Sequence, residues 1–163
     1  RRKIDCRFHC PNGLHLREIT GNIAALMRKS GFATLRFGFE TSEPHRQLET
    51  GGKVKGEDLQ SAVGHLKNAG YSECDMGVYL LCGLPGQQAG EIRDSIEFVK
   101  STGARPILAE FSPIPGIAIW EECRKISKLD LSEPLFHNNT LLPCADPGLS
   151  EGVYRALKQL CRT

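Results

Sequence analysis

Long hydrophobic runs and a strong net charge are both missing from this sequence of 163 residues. No apolar stretch approaches the roughly 18 residues that a membrane-spanning helix needs. The 21 Lys and Arg residues nearly balance the 19 Asp and Glu residues, and the remaining charge of +2 is scattered along the chain. Nucleic-acid-binding domains instead gather basic residues on one face. We therefore expect neither a membrane protein nor a nucleic-acid-binding one, but a globular domain.

Several short functional signatures are missing as well. No Ser-His-Asp order is visible, and the segment GGKVKG at 51–56 lacks the spacing of a phosphate-binding P-loop. The charged start Arg1-Arg2-Lys3 runs directly into a strand-like segment, which is unlike a signal peptide. Because the first residue is not Met, we expect a piece of a longer polypeptide, and we expect that polypeptide to be cytoplasmic.

The seven cysteines form no pattern typical of a disulfide scaffold or a metal site. Their number is odd and their density is low, which favours free thiols in a reducing compartment. Cys6 and Cys10 form a CxxxC pair, but on one extended strand they would be about 13 Å apart, too far to share an ion. Gly13 follows where a third close cysteine would be needed. We predict no metal here and expect two buried or partly buried thiols.

The apolar residues alternate between strand-like and helix-like spacing along the chain. The strand-like runs are residues 4–9, 34–40, 76–82 and 105–111, and the helical stretches are residues 17–30, 57–68, 90–101 and 119–126. Three of the helical stretches are followed by a glycine, Gly31, Gly70 or Gly103, which is typical of a helix C-terminus. This β-α-β-α order predicts an α/β fold with a parallel sheet covered by helices.

A change of composition after Gly116 marks the end of this pattern. Residues 1–116 would hold four βα units, and residues 117–163 would hold the last barrel helix and an irregular extension. Between residues 130 and 150 the extension is rich in proline and polar residues, and a final helix is predicted over residues 151–160. We expect the extension to pack on the helical layer rather than to form a second domain.

Each predicted strand has one apolar face and one face that carries charge. In residues 34–40, three apolar residues alternate with Arg36, Gly38 and Glu40, and similar alternation exposes His9 in the first strand and Glu110 in the fourth. A doubly wound sheet would bury both faces, so a barrel with a polar lumen explains the pattern better. An α+β sheet with one solvated face is the competing interpretation, and the βα alternation argues against it.

Four strands cannot close a barrel of the TIM type, which normally needs eight strands and about 250 residues. The sequence therefore predicts a partial (βα) barrel, an arc with open edges, which suggests the second half of a larger domain. Open edges would also favour a homodimer of the isolated piece.

Glycine- and proline-rich turns follow the predicted strands at their carboxyl ends. These turns are residues 10–13, 38–41, 83–87 and 112–116. Ligands of α/β proteins bind at the carboxyl ends of strands, where glycine allows the backbone to approach a ligand and proline fixes the turn. We therefore expect Asn12, Glu40, Gly83 and Ser112 to surround one shared site.

The motifs in these turns resemble a known enzyme family. FGFET, then GGK, then YLLCGLPGQ with Glu91, and then EFSPIPG with Trp120 are similar to the later half of the radical S-adenosylmethionine (radical SAM) barrel. The similarity runs from about Ile4 to Trp120 and is to the branch with methylthiotransferases, coproporphyrinogen dehydrogenases and cobalamin-binding members. The ending EPLFHNNTLLPC resembles the cobalamin-associated members.

The resemblance implies that this chain holds strands three to six of a six-stranded partial barrel, with SAM lying across their carboxyl ends. Glu40 would then bond the SAM ribose, residues 80–86 would lie near the adenine, and the backbone of residues 111–113 would bond the adenine edge. Lys53 would pair with the SAM carboxylate. The cofactor-binding residues implied in this way are Glu40, Lys53, Leu81, Gly83, Phe111, Ser112 and Pro113. The substrate cavity would include Arg7, His9, Asn12, Arg36, Tyr79 and Glu110.

One element of the family is missing from this sequence. Radical SAM enzymes bind a 4Fe–4S cluster through a CxxxCxxC loop after the first barrel strand, and the sequence contains no such triplet. The implied partner is the missing N-terminal half of the same polypeptide, which would supply the cluster. The intact enzyme would cleave SAM to a 5′-deoxyadenosyl radical, and a cobalamin-assisted methyl or sulfur transfer is implied if it carries that further domain. This chain alone should be inactive.

Two other interpretations stay open at the level of sequence. The first is a different (βα) barrel enzyme that uses Glu40, Glu110 and His9 as acid–base groups. The second is a non-catalytic binding domain. Arg36 and Glu110 are in addition expected to neutralise each other as an inward ion pair.

Overall fold

The computed structural model describes residues 6–49, 51–52, 54–137 and 141–163. Within them the strands are β1 (Phe8–His9), β2 (Phe32–Glu40), β3 (Met76–Cys82) and β4 (Arg105–Glu110). The α-helices are α1 (Gly21–Lys29), α2 (Pro44–Glu49), α3 (Gly56–Asn68), α4 (Ala89–Thr102), α5 (Trp120–Ile126) and α6 (Glu151–Leu160). No helix of the described part is long and apolar enough to cross a membrane.

The four strands form one sheet whose order in space is their order in the chain. Every neighbouring pair is parallel, with Phe8 opposite Phe32, Leu35 opposite Met76, and Gly77 opposite Arg105. A sheet of successive parallel strands with helices between them curls into a half-barrel. The predicted α/β partial barrel is confirmed.

One face of the sheet carries the main hydrophobic core. Leu35, Phe37 and Val78 are completely buried on this face, against Leu59 of α3 and Ile96 of α4. Burial of each such side chain contributes about 1.5–3 kcal/mol to folding. For β2, the alternation of apolar and polar residues therefore identified the core face correctly.

The face of β4 that packs on the helices is the opposite of the expected one. Pro106 and Leu108 are buried towards the helical layer, whereas Ile107 lies on the face of Arg36. A Cβ built on Gly77 would lie 2.6 Å from both Arg36 Cδ and Ile107 Cδ1, which places these two side chains together. The predicted orientation of β4 was wrong because both of its faces carry apolar residues, so that alternation cannot distinguish them.

Helices α1 and α2 and strand β1 differ from what the sequence predicted. Helix α1 begins at Gly21 because Thr20 Oγ1 accepts the N–H of Ile23 at 3.3 Å and so caps the helix N-terminus. Helix α2 was not predicted, and none of its residues is buried. Phe8 of β1 is 45% exposed, so the described residues do not cover the apolar face expected for this strand. Residues 4 and 5 of the predicted strand lie outside the described residues.

The segment after β4 builds a small core of its own and then returns to the main core. Cys123, Leu131 and Cys144 are buried together, and Phe111 and Trp120 pack against them. Helix α6 follows and contributes Leu157 to the main core beside α4. The extension is thereby attached both to the end of β4 and to the helical layer.

Candidate functional site

A cavity of about 490 Å³ lies at the carboxyl ends of the strands. The chain after β1 contributes residues 13–15 to its wall, the end of β2 contributes residues 38–40, and β3 contributes Leu81. The segment after β4 contributes Phe111, Ser112, Ile114 and Ile117, and the chain between β2 and β3 contributes Gln47 and Val54. The described structure therefore brings segments at the ends of all four strands to one hollow. Of the four residues expected there, Glu40 and Ser112 line it, whereas Asn12 and Gly83 do not.

Four of the predicted cofactor residues line this cavity. They are Glu40, Leu81, Phe111 and Ser112. Gly83 and Pro113 do not line it, although Pro113 stands in sequence between the lining residues Ser112 and Ile114. Gly83 lies against Leu142. Lys53 falls outside the described residues.

The residues predicted for a substrate cavity are spread over several places. Arg7, His9 and Asn12 are exposed, and His9 Nδ1 lies 2.8 Å from Thr34 Oγ1. The Tyr79 hydroxyl donates to the carbonyl of Pro11 at 2.8 Å, which ties β3 to the loop after β1. None of these four residues lines the cavity at the strand ends.

Glu110 does not lie on the lumen face. Its carboxylate accepts a hydrogen bond from Lys158 Nζ of α6 at 2.7 Å, on the side of the sheet that carries the helices. The expected ion pair with Arg36 is therefore absent from the described residues, and Arg36 donates instead to the carbonyl of Leu35 at 2.9 Å. The acid–base set of Glu40, Glu110 and His9 is not brought together, so the structure gives no support to the interpretation that depends on it.

Glu40 has a backbone conformation that non-glycine residues rarely adopt. Its φ is +72°, and the pairing of β2 with β3 shifts register between Gly38 and Glu40. A Cβ on Gly38 would lie 3.0 Å from Glu40 Oε1, so the carboxylate lies over Gly38 on the lumen face. Such a conformation costs about 1–3 kcal/mol and is found preferentially at functional sites. The only non-glycine residue with positive φ in the described chain is thus a carboxylate in the cavity wall.

A close approach of two backbones brings the loop after β1 to this carboxylate. A Cβ on Gly13 would lie 3.0 Å from the backbone nitrogen of Gly38, and the N–H of Leu14 donates to the carbonyl of Arg36 at 2.7 Å. A side chain at position 13 would be in tight contact with the backbone of β2, so glycine favours this close approach. The loop forms one wall of the cavity.

A buried serine holds the chain that follows Glu40. Ser95 of α4 is 2% exposed, and its Oγ accepts the N–H of Ser42 at 2.9 Å while it donates to the carbonyl of Glu91 at 2.9 Å. The Oγ of Thr41 in turn accepts the N–H of Glu43 at 3.1 Å. Sequence analysis missed Ser95, although a serine at a core position of an amphipathic helix was the signal that could have indicated it.

A second buried side chain organises the loop between β3 and α4. Gln87 is 1% exposed, and its Oε1 accepts the backbone N–H groups of Gly83 at 2.8 Å and Leu84 at 3.2 Å. Its Nε2 donates to the carbonyl of Leu81 at 3.1 Å. Three backbone groups that would otherwise be unsatisfied in the interior are bonded by one side chain, which fixes the turn beside the cavity.

Arg46 of α2 connects the loops after β2 and β3. Its Nε donates to Glu91 Oε2 at 2.6 Å, its Nη1 donates to the carbonyl of Pro85 at 3.1 Å, and its side chain is 14% exposed. Burial alone would raise the pKa of Glu91, but the hydrogen bonds from Arg46 and from the N–H of Gln88 lower it below its ordinary value. The hydrogen bond to Glu91 raises the pKa of Arg46. The pair is charged at neutral pH and holds the short helix α2 against α4.

All seven cysteines are free thiols with very different surroundings. Cys6 and Cys74 are exposed, and Cys10 is half-buried, so the expected burial of Cys6 was wrong. Burial raises the pKa of the Cys82 thiol to about 12 and that of the Cys144 thiol to about 12. Within the described residues, no group of three His, Cys, Asp or Glu side chains is arranged to hold a metal ion.

These differences predict selective thiol labelling. In the native protein, 5,5′-dithiobis(2-nitrobenzoate) should react rapidly with Cys6 and Cys74, because both thiols are exposed to the reagent. Cys82, Cys123 and Cys144 should react only after unfolding in denaturant, since they are buried. Peptide mapping after a short pulse of labelling checks this. The double variant Cys6→Ser/Cys74→Ser should lose the rapid phase, and rapid labelling of Cys82 would contradict the packing of β3.

Two enzymes of known structure share this fold. The radical S-adenosylmethionine methyltransferase TsrM from Kitasatospora setae, solved with cobalamin and a 4Fe–4S cluster bound, matches with a TM-score of 0.65 and 20% identity over 93% of this chain and 35% of TsrM. Its structure with a tryptophan substrate and the SAM analogue aza-SAM matches with a TM-score of 0.65 and 19% identity over 93% of this chain and 34% of TsrM. Coproporphyrinogen III oxidase (HemN) from Escherichia coli, also a radical SAM enzyme, matches with a TM-score of 0.54 and 21% identity over 75% of this chain and 27% of HemN.

No protein-family model matches the sequence, and the search of curated proteins finds no match. The chain spans about a third of the length of TsrM and about a quarter of the length of HemN. The likeness is therefore one of fold, seen over most of this chain and over a part of each enzyme. The partial barrel of this chain is one that radical SAM enzymes contain, which agrees with the resemblance carried by the motifs at the strand ends.

Proposed function

We propose that this chain forms the part of a radical SAM barrel that binds the nucleoside portion of SAM. The observation that carries the proposal is the cavity at the carboxyl ends of four parallel strands, with the Glu40 carboxylate in its wall, in a fold shared with two radical SAM enzymes. The ligands of the 4Fe–4S cluster would come from residues outside this sequence.

The residues of the cavity fit an adenosine group. A volume of about 490 Å³ lies within the roughly 300–1,000 Å³ typical of small-molecule sites. Leu14, Val54 and Phe111 supply an apolar wall that suits a nucleobase. The polar residues of the wall include Glu40 and Ser112. The buried Oγ of Ser112 has no hydrogen-bond partner among the described residues.

The individual roles follow from the chemistry of these side chains. A carboxylate accepts two hydrogen bonds at once, so Glu40 can bond both ribose hydroxyls of the nucleoside. Phe111 offers a ring face on which a base can pack. Together these groups would orient the nucleoside, and the wall behind them would exclude water. The chemistry that SAM supplies together with a 4Fe–4S cluster is its one-electron cleavage.

The sequence supplies no CxxxCxxC loop, and the described residues supply no alternative cluster site. The 163 residues would therefore bind and orient SAM without cleaving it. A cobalamin-dependent step and a homodimer through open strand edges stay predictions from the sequence. TsrM contains cobalamin in its structure.

Binding measurements on Glu40 variants test this proposal. Titration calorimetry should show binding of S-adenosylhomocysteine and of adenosine, and Glu40→Ala should weaken both by about tenfold to a hundredfold, because hydrogen bonds to a charged group contribute about 1.5–3 kcal/mol. Wild-type protein should prefer adenosine over 2′-deoxyadenosine, and Glu40→Ala should remove that preference. Glu97→Ala on the exposed surface of α4 is the matched control.

Two results would overturn the proposal. The first is a wild-type protein that binds neither nucleoside, measured in the full-length polypeptide. The second is a Glu40→Ala variant with unchanged affinity and an unchanged preference for the ribose 2′-hydroxyl. Unfolding curves of each variant should be recorded alongside, so that a loss of binding is not confused with a loss of structure.

A further inference from the structure

A second cavity, of about 270 Å³, lies around the amino end of β4. Arg105 is the first residue of this strand and pairs with Gly77, near the start of β3, so the cavity lies nearer the amino ends of the strands than the candidate SAM site does. The two cavities share no lining residue. Four basic residues line it, and no acidic residue does. They are Arg36, Arg105, Lys158 and Arg162. The floor between them is apolar and includes Ile107 and Leu108.

Three of these four cations have no carboxylate partner among the described residues. Lys158 pairs with Glu110, but Arg36, Arg105 and Arg162 form no ion pair there. Glu110, the counter-ion that the sequence predicted for Arg36, lies on the other face of β4. Positive charge is therefore concentrated in this cavity although the whole chain carries only +2.

The sheet is shaped to hold the Arg36 side chain in this place. Arg36 lies across Gly77 towards β4, and a Cβ on Gly77 would lie 2.6 Å from Arg36 Cδ and 2.8 Å from its Nε. A side chain at position 77 would therefore have to displace Arg36 or Ile107. One Nη atom donates to the carbonyl of Leu35 at 2.9 Å, which fixes the half-buried guanidinium and leaves further N–H donors for a ligand.

We propose that this cavity binds the phosphate or carboxylate group of a small anionic ligand. Guanidinium groups present paired donors that match both oxyanions. A volume of about 270 Å³ admits such a group or a small dicarboxylate. The site is separate from the strand-end cavity, so this inference does not depend on the proposed function.

The test uses inorganic phosphate and succinate as probes, titrated at constant ionic strength with sodium chloride as the reference. Nuclear magnetic resonance should show saturable shifts of the Arg105 and Ile107 amide signals with at least one probe. Stronger binding of phosphate identifies a phosphate ligand, and stronger binding of succinate identifies a carboxylate ligand. Each outcome supports an oxyanion site, while no saturable shift with either probe would overturn it.

Variants separate this site from a general effect of charge. Arg105→Ala and Arg162→Ala change exposed residues and should fold normally, and each should weaken binding about tenfold. Arg93→Ala on the exposed surface of α4 removes the same charge elsewhere and should leave the affinity unchanged. Arg36→Lys keeps the charge but loses the paired donors and should also weaken binding. Equal affinities for wild type, Arg105→Ala and Arg162→Ala would refute the inference. Nucleoside binding should be unaltered in Arg105→Ala, whatever the outcome of the Glu40 experiments.

Discussion

Gln87→Ala is expected to lower the free energy of unfolding by about 3 kcal/mol or more. The substitution removes the partner of two N–H groups in the loop after β3 and of the carbonyl of Leu81 in β3. Each such group left unsatisfied in the interior costs about 1–3 kcal/mol. Urea unfolding followed by circular dichroism measures the change. Gln60→Ala, on the exposed face of α3, is the matched control and should change the stability by less than about 0.5 kcal/mol.

The same variant should also disturb the cavity, because Leu81 of the cavity wall is bonded by the Gln87 amide. Gln87→Glu offers a second comparison, since a carboxylate can accept both N–H groups but cannot donate to the carbonyl of Leu81 when it is ionised. It should be destabilised as well, and more at neutral pH than in acid. If the Gln87→Ala variant were as stable as the wild type, water or another side chain would have replaced the amide.

Arg46→Ala should lower the free energy of unfolding by about 2 kcal/mol at pH 7. The Arg46 and Glu91 side chains are only 14% and 25% exposed, so the variant leaves a partly buried carboxylate without its cation. Loss of one partner of a fully buried pair costs about 3–5 kcal/mol, and partial exposure reduces that value. Arg155→Ala is the control, because Arg155 and its partner Glu151 are both 76% exposed and such pairs contribute about 0–1 kcal/mol.

The effect of Arg46→Ala should depend on pH in a defined direction. The folded-state pKa of Glu91 lies below its ordinary value, so its ion pair stabilises the fold fully above the unfolded pKa of about 4.3. The stabilisation is lost as the pH falls through the lowered folded pKa, since a protonated Glu91 no longer attracts the guanidinium. Unfolding of wild type and variant at pH 7 and at pH 3 measures this. A difference in stability that is equal at both pH values would mean that Arg46 acts through packing alone.

The arrangement of strands and the position of the cavity were predictable from sequence because both depend on local patterns. Leu35, Phe37 and Phe39 alternate with polar residues, and only one orientation of β2 buries all three. Gly31 and Gly70 follow helices with positive φ, as expected for residues that end them. Turns at the ends of parallel strands meet at one edge whatever lies between them.

Other features depend on residues that are distant in the chain. Glu110 on the helical face of β4 is paired with Lys158 of α6, which is 48 positions away, and alternation along β4 cannot indicate such a partner. The six residues of α2 bury no side chain and are too short to form a stable helix alone. Arg46 holds them through Glu91, and no periodicity indicates such a contact. Gln87 was visible in the GLPGQ motif, but only the turn itself shows that its amide faces inward.

The strand order also bears on how the chain acquires its structure. Neighbouring strands of the described sheet are also consecutive in sequence, so no strand has to be inserted between two others. Assembly can therefore proceed one βα unit at a time, because only one or two α-helices separate each strand from the next. A growing polypeptide on the ribosome could dock each unit as it emerges, and the final helix α6 would seal the last of them.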